Sequence, residues 1–149
     1  MDHDLFGDAA DVLHTLLPPK LGVARMRHHR YGLKVWFGGT EVTKAHYEAQ
    51  VVGPRHVPEA EVLALEVGFH LEHPKPADNE HVIADLLRQE RRWRKRLGDD
   101  AVAGPFLGRD TWRRVSETWP DVDLGDPDLS VEIAARLLDY IEAIQPLTE

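Results

Sequence analysis

Cysteine is absent from the 149 residues. That excludes disulfides, thiolate-held zinc, iron–sulfur clusters and a cysteine nucleophile. No apolar run approaches the roughly 20 residues of a membrane span. The acidic start Met1-Asp2-His3-Asp4 lacks the basic stretch before an apolar segment that marks a secretory signal. A cytoplasmic protein with no membrane partner is expected. Familiar motifs are missing as well: no GxxxxGK[ST] phosphate loop, no GxGxxG after a strand, no GxSxG elbow and no helical HExxH pair. Gly104-Pro105-Phe106-Leu107-Gly108 has two glycines but no lysine, and reads as a bulged strand or turn. A restriction-nuclease-like acidic strand carries a lysine shortly after its carboxylate; Glu66-Val67-Gly68 and Glu72-His73-Pro74 supply none. No catalytic residue, metal ligand or cofactor is assigned from the sequence.

What is present suits a globular domain. Hydrophobic residues make up 42% and charged residues 30%, and a chain of this length can bury roughly 68–70% of its unfolded surface. One domain over residues 1–149 is expected. The net charge of −8 is unevenly spread. Glu117 to Glu149 hold nine acids and a single base, Arg136, whereas residues 1–116 balance 17 acids with 17 bases. Such asymmetry marks a partner surface or a tail folding onto a basic patch, or simply a solvated acidic helix.

Periodicity gives an order of elements. Asp4–Leu17 spaces Leu5, Ala9, Val12, Leu13, Leu16 and Leu17 as a helix does, and Pro18-Pro19 ends it. Three strands follow over 31–37, 43–52 and 62–72; in the last, Leu63, Leu65, Val67, Phe69 and Leu71 alternate with period two. Short connections favour an antiparallel meander. A helix capped by Asp78 or Asn79 should run to Leu97, with Gly98 as its stop. Residues 101–107 and 112–116 are weaker strands, Trp119 to Gly125 reads as loop, and 130–144 is a periodic helix. The expected fold is α+β: an antiparallel sheet of about five strands in α-β-β-β-α-β-β-α order, with helices mainly on one face.

Two groups of residues are candidates for a site. On the polar side of the strands stand His46, Glu48 and Gln50, then Glu66, His70 and Glu72, with Lys34 and Trp36 beside them. Histidine with carboxylate can hold a divalent metal or share a proton when the groups converge, and cross-strand neighbours lie ~4.5–5.5 Å apart. The same alternation also arises on any sheet with one solvated face. Trp36 there favours a covered surface, since aromatics are enriched at interfaces. The second group is Arg88, Arg91, Arg92 and Lys95, a helical stripe able to neutralise phosphates with Trp93 nearby to stack on a base. Cations also favour a helix C-terminus for dipole reasons alone.

By order of elements and acidic balance, the chain resembles the small α/β fold of type III secretion chaperones and their YbjN-type relatives. The resemblance implies a dimeric, protein-binding module and assigns no residue. Three readings follow: a non-enzymatic interaction or chaperone-like adaptor, expected as a homodimer with a protein partner and binding through the sheet face; an enzyme with a His/Glu metal or acid–base site on that face; and a nucleic-acid-associated module using the arginine-rich helix.

Overall fold

The computed structural model describes residues 4–148. The first three residues of the acidic start, and Glu149, lie outside them. The element order is α1 (Leu5–Leu16), a 3₁₀ turn at Pro19–Leu21, β1 (Ala24–His29), β2 (Gly32–Phe37), β3 (Ala45–Val52), β4 (Ala64–Leu71), α2 (Pro76–Arg88), α3 (Glu90–Leu97), β5 (Val102–Phe106), β6 (Arg109–Pro120) and α4 (Leu129–Thr148). The fold is α+β, as expected, but the sheet has six strands, ordered β1-β2-β3-β4-β6-β5, with every neighbouring pair antiparallel.

The additional strand is β1. Its sequence Ala-Arg-Met-Arg alternates small or apolar with charged side chains, and only Ala24 and Met26 are half-buried. β6 extends beyond the 112–116 expected for it, and takes in Trp119 and Pro120. Its final residue is a proline opposite Ala64 at the end of the ladder, where a missing N–H is tolerated.

The helix expected up to Leu97 is two helices, broken at Gln89. Neither Asp78 nor Asn79 caps the first; Pro76 opens it, with its fixed φ and no N–H to satisfy. Asn79 is instead fully buried: its side chain accepts from His73 N–H at 2.9 Å and donates to the carbonyls of His73 and Thr111. This ties the exit of β4 to the start of β6. The break turns Trp93 into the core, where it is 0% exposed and its indole N–H donates to Leu86 O at 2.7 Å. Leu87 is exposed.

All helices lie on one side. α4 crosses β3 and β4, α1 covers β1 and β2, and α2 lies on β6 and β5, while α3 packs on α4. The main core fills this interface, with Leu33, Val35, Tyr47, Ala49, Leu65, Val67, Phe69 and Val115 from the strands against Leu13, Ile133, Leu137 and Ile141 from the helices. A carboxyl group also enters that side. Glu117 of β6 accepts from Tyr140 Oη and Arg136 Nε of α4, each at 2.8 Å, and from the Trp119 indole at 2.8 Å. Burial, then the charge of Glu117, push the Tyr140 hydroxyl far above its ordinary range, so it stays a donor.

The opposite side of the sheet departs most from expectation. Polar residues alternate there, yet its centre is covered. The β3–β4 connection folds over it and forms a small second core, Val57 and Ala60 on Ala64 with Val52 beside them. Asp121 pins the end of that connection, its carboxylate accepting from Glu61 and Val62 N–H. From the other edge, the Phe106 ring lies 4.6 Å from the His70 ring, and Trp112 stands 5.5 Å from Phe106.

Candidate metal centre

The register of β3 and β4 builds the site. His46 pairs with His70, Glu48 with Gly68, and Gln50 with Glu66. The ladder runs one bond further, Glu72 N–H to Lys44 O, which brings Glu72 beside His46. Because the side-chain period is two, all these residues except Gly68 project a side chain onto the covered polar face. Gly68 leaves the room. A Cβ there would lie 2.4 Å from Val115 O and 2.5 Å from Ser116 Cα, so only glycine lets β6 approach.

Four residues converge. One donor atom each from His46, Glu48, His70 and Glu72 lies within 4.8 Å of the other three. His46 Nε2 is 3.0 Å from Glu48 Oε1 and 3.4 Å from Glu72 Oε2. His70 Nδ1 is 3.2 Å and 3.4 Å from the same two oxygens. Metal–ligand bonds of ~2.0–2.2 Å in a tetrahedron would set donors roughly 3.3–3.6 Å apart. The far nitrogen of each ring is occupied: His46 Nδ1 contacts Thr43 O at 2.9 Å, and His70 Nε2 contacts the Glu66 carboxylate at 2.7 Å. A ring N–H given away on one side leaves the other nitrogen's lone pair facing inward, the arrangement typical of metal-bound histidines. Glu66 is held in turn by Gln50 Nε2 at 3.0 Å.

The residues are almost removed from water. His46, Glu48, Glu66 and His70 are at most 5% exposed, while the Glu72 side chain, at 14%, is the most open of the four donors. Arg114 of β6, cross-strand from His70, is also buried and bonds Pro105 O, Ser116 O and Ser116 Oγ. With neutral imidazoles, the three carboxylates and this guanidinium leave two net negative charges in a buried layer. Two protons or one divalent cation would balance them. Burial alone would lower both histidines, but hydrogen bonds accepted by Glu48 and Glu72 raise His46, and the charge of Glu66 raises His70 further. Burial alone would raise the carboxyls, but hydrogen bonds from both histidines hold Glu48 down to about 2 and Glu72 below its usual range.

Of the sheet-face residues singled out from the sequence, His46, Glu48, Gln50, Glu66, His70 and Glu72 are brought together, as a largely buried cluster, whereas Lys34 and Trp36 make no hydrogen bond or ion pair with it. Trp36 is covered as well, its indole donating to Gly39 O at 3.1 Å. Sequence reasoning missed Thr43, Arg114 and Ser116. The first acts through its carbonyl, and the other two reach the cluster only through the β4–β6 register. The helical stripe stays on the surface, on the other side of the sheet. Arg91, Arg92 and Lys95 are exposed, and Arg88 pairs with Asp85 at 3.1 Å. The acidic last helix engages Arg96 and Arg136 rather than the stripe. No helix among the described residues is long and apolar enough to cross a membrane. Compared with known proteins, the chain matches no family model, no curated protein and no solved structure.

Proposed function

We propose that this protein binds one divalent cation of the zinc class through His46 Nε2, Glu48, His70 Nδ1 and Glu72. The observation that carries this is the set of four donor–donor separations of 3.0–3.4 Å, with both far ring nitrogens already engaged. Two imidazole and two carboxylate donors suit zinc ahead of magnesium or calcium, which prefer oxygen ligands in larger number. Four protein ligands in a covered layer also suit an ion that fastens the sheet, since catalytic sites keep a position open. Enzymatic use of the same pairs requires Glu72, the most exposed donor, to give way to a substrate. An adaptor role would need a surface other than these residues, which the chain itself covers.

The test is metal analysis of untagged protein after dialysis against zinc. Wild type should retain one equivalent. His46→Ala and His70→Ala should retain none, and Glu66→Gln should weaken binding about 10–100-fold by releasing the His70 ring. Circular dichroism establishes that each variant is folded. A folded wild type that retains no metal, and whose melting is unmoved by zinc, manganese or nickel, removes this reading and leaves a proton-paired network.

A further inference from the structure

β1 is an edge strand that pairs only with β2. The alternation of ladder bonds shows which of its backbone groups are engaged. Val51 N–H donates to Tyr31 O, so the odd-numbered residues of β2 bond β3, while Gly32, Lys34 and Trp36 bond β1. Their partners there are His29, Arg27 and Arg25. The N–H and C=O groups of Ala24, Met26 and His28 therefore point away from the sheet, and among the described residues none of them has a hydrogen-bond partner. The opposite edge is blunted. β5 carries Pro105 and a register shift beside it, devices that stop a further strand from pairing. β1 has neither.

The charged side chains that β1 and β2 present on the polar face are all basic. Arg25 lies opposite Trp36 and Arg27 opposite Lys34. Arg25 and Arg27 are exposed and Lys34 is half-buried. Like charges placed directly across a ladder are destabilising. Glu48, the β3 partner of Lys34, is engaged by His46 and His70 instead. Among the described residues, Arg25, Arg27 and Lys34 have no carboxylate at ion-pair distance. On the other face Ala24 and Met26 pack against the main core, which holds the strand in place.

We propose that β1 takes up an extended acidic segment of a partner protein as an additional antiparallel strand. The backbone of that segment bonds Ala24, Met26 and His28, and carboxylates on two alternate residues lie opposite Arg25 and Arg27. Main-chain bonds at an open edge recognise extended chain of any sequence, and the side chains across the ladder then select. The period of two puts both acids on the polar face, with an apolar residue between them opposite Met26. A second copy of β1 paired about Met26 would set Arg25 against Arg27 twice, adding to the repulsion. A free polyanion would satisfy the cations but leave the edge groups unpaired. β2 separates this edge from the cation centre on β3 and β4, so it can be assayed without metal.

The experiment is fluorescence anisotropy of a labelled, end-capped peptide of alternating glutamate and valine, about nine residues long so as to span the strand, titrated with the full chain in EDTA. Expected is binding at low salt, with amide exchange slowed at Met26 and His28 and unchanged at Arg25 and Arg27. An isomer repeating Glu-Glu-Val-Val never places two acids on alternate residues, and should bind at least about five-fold more weakly. Methylating the valine amides, which face β1, should weaken binding at least about ten-fold, whereas methylating the glutamate amides, which face away, should weaken it less. Arg25→Glu with Arg27→Glu should lose the acidic peptide and take up one of alternating lysine and valine. Arg27→Gln repeats the test should the double variant not fold, with weaker binding of the acidic peptide expected. No binding of the alternating peptide at low salt overturns the proposal. So does equal binding of the isomer or of the valine-methylated peptide, which marks a charged surface without strand pairing. A dimer by light scattering, with Met26 and His28 protected before any peptide is added, assigns the edge to a second copy and overturns it too.

Discussion

At the residue scale, the two histidines and their carboxylates make the metal-free and metal-bound chains respond oppositely to pH. In the metal-free chain His46 and His70 titrate above their ordinary value. Their contribution is complete below an unfolded pKa of about 6.5 and is lost as pH rises through the raised folded value. Glu48, held at about 2, contributes above an unfolded pKa of about 4.3, and that share is lost as pH falls toward 2. The cluster therefore stabilises metal-free protein most between about pH 4.5 and 6.5. Zinc requires neutral imidazoles, so its affinity should climb from pH 5.5 to 7.5. Urea midpoints in EDTA across pH 4–9, with zinc titrations at each pH, check both slopes. A metal-free midpoint that rises steadily from pH 5 to 8 would contradict the account.

At the element scale, two contacts decide how the strands and helices meet. Gly68→Ala places a methyl against the backbone of β6 and should destabilise the fold by about 1–3 kcal/mol, as overpacking does. Denaturant unfolding measures it, and a neutral result would mean that β6 can shift aside. Trp93→Phe keeps one aromatic ring in the core but leaves a void where the rest of the indole stood, and leaves Leu86 O, at the break between α2 and α3, without its indole donor. It should be destabilised by about 1–3 kcal/mol, read in the same experiment. These contacts also explain what was legible in advance. The alternation of Leu63 to Leu71 and the spacing of Ile133, Ala134, Leu137 and Ile141 reveal β4 and α4 because packing on one face imposes those periods. The break at Gln89 is invisible to periodicity, since Val82, Ile83, Leu86, Trp93 and Leu97 fit one continuous helix equally well. The candidate cluster was half legible: the residue types and their shared face follow from alternation. Their convergence depends on the pairing of His46 with His70, and their burial on a connection, residues 53–63, with no period of its own.

At the scale of the whole molecule, a bound ion would act on global stability because its donors join the middle strands. Zinc at 100 times its dissociation constant should add about 2.7 kcal/mol, hence roughly 5–10 °C in the melting midpoint for a chain of this size. Differential scanning fluorimetry with zinc and with EDTA tests this, and His70→Ala should abolish the difference. The acidic surplus after residue 116 is partly spent within the fold, on Arg136 through Glu117 and Asp139 and on Arg96 through Asp139 and Glu142. The element order on which the chaperone resemblance rests now contains a fourth strand before the helices and a second helix after them. A dimer assay bears on that resemblance directly.

The sheet also sets an order of assembly. His46, Glu48, His70 and Glu72 all belong to the β3–β4 hairpin and the residue just past it, whereas β4 reaches its other neighbour, β6, only after α2, α3 and β5 have been threaded between them. Closing that longer loop costs more chain entropy and slows the step that requires it. The β3–β4 hairpin therefore closes over a shorter loop than the β4–β6 pairing that brings up Arg114 and Ser116, and the four donors can meet before β6 is in place.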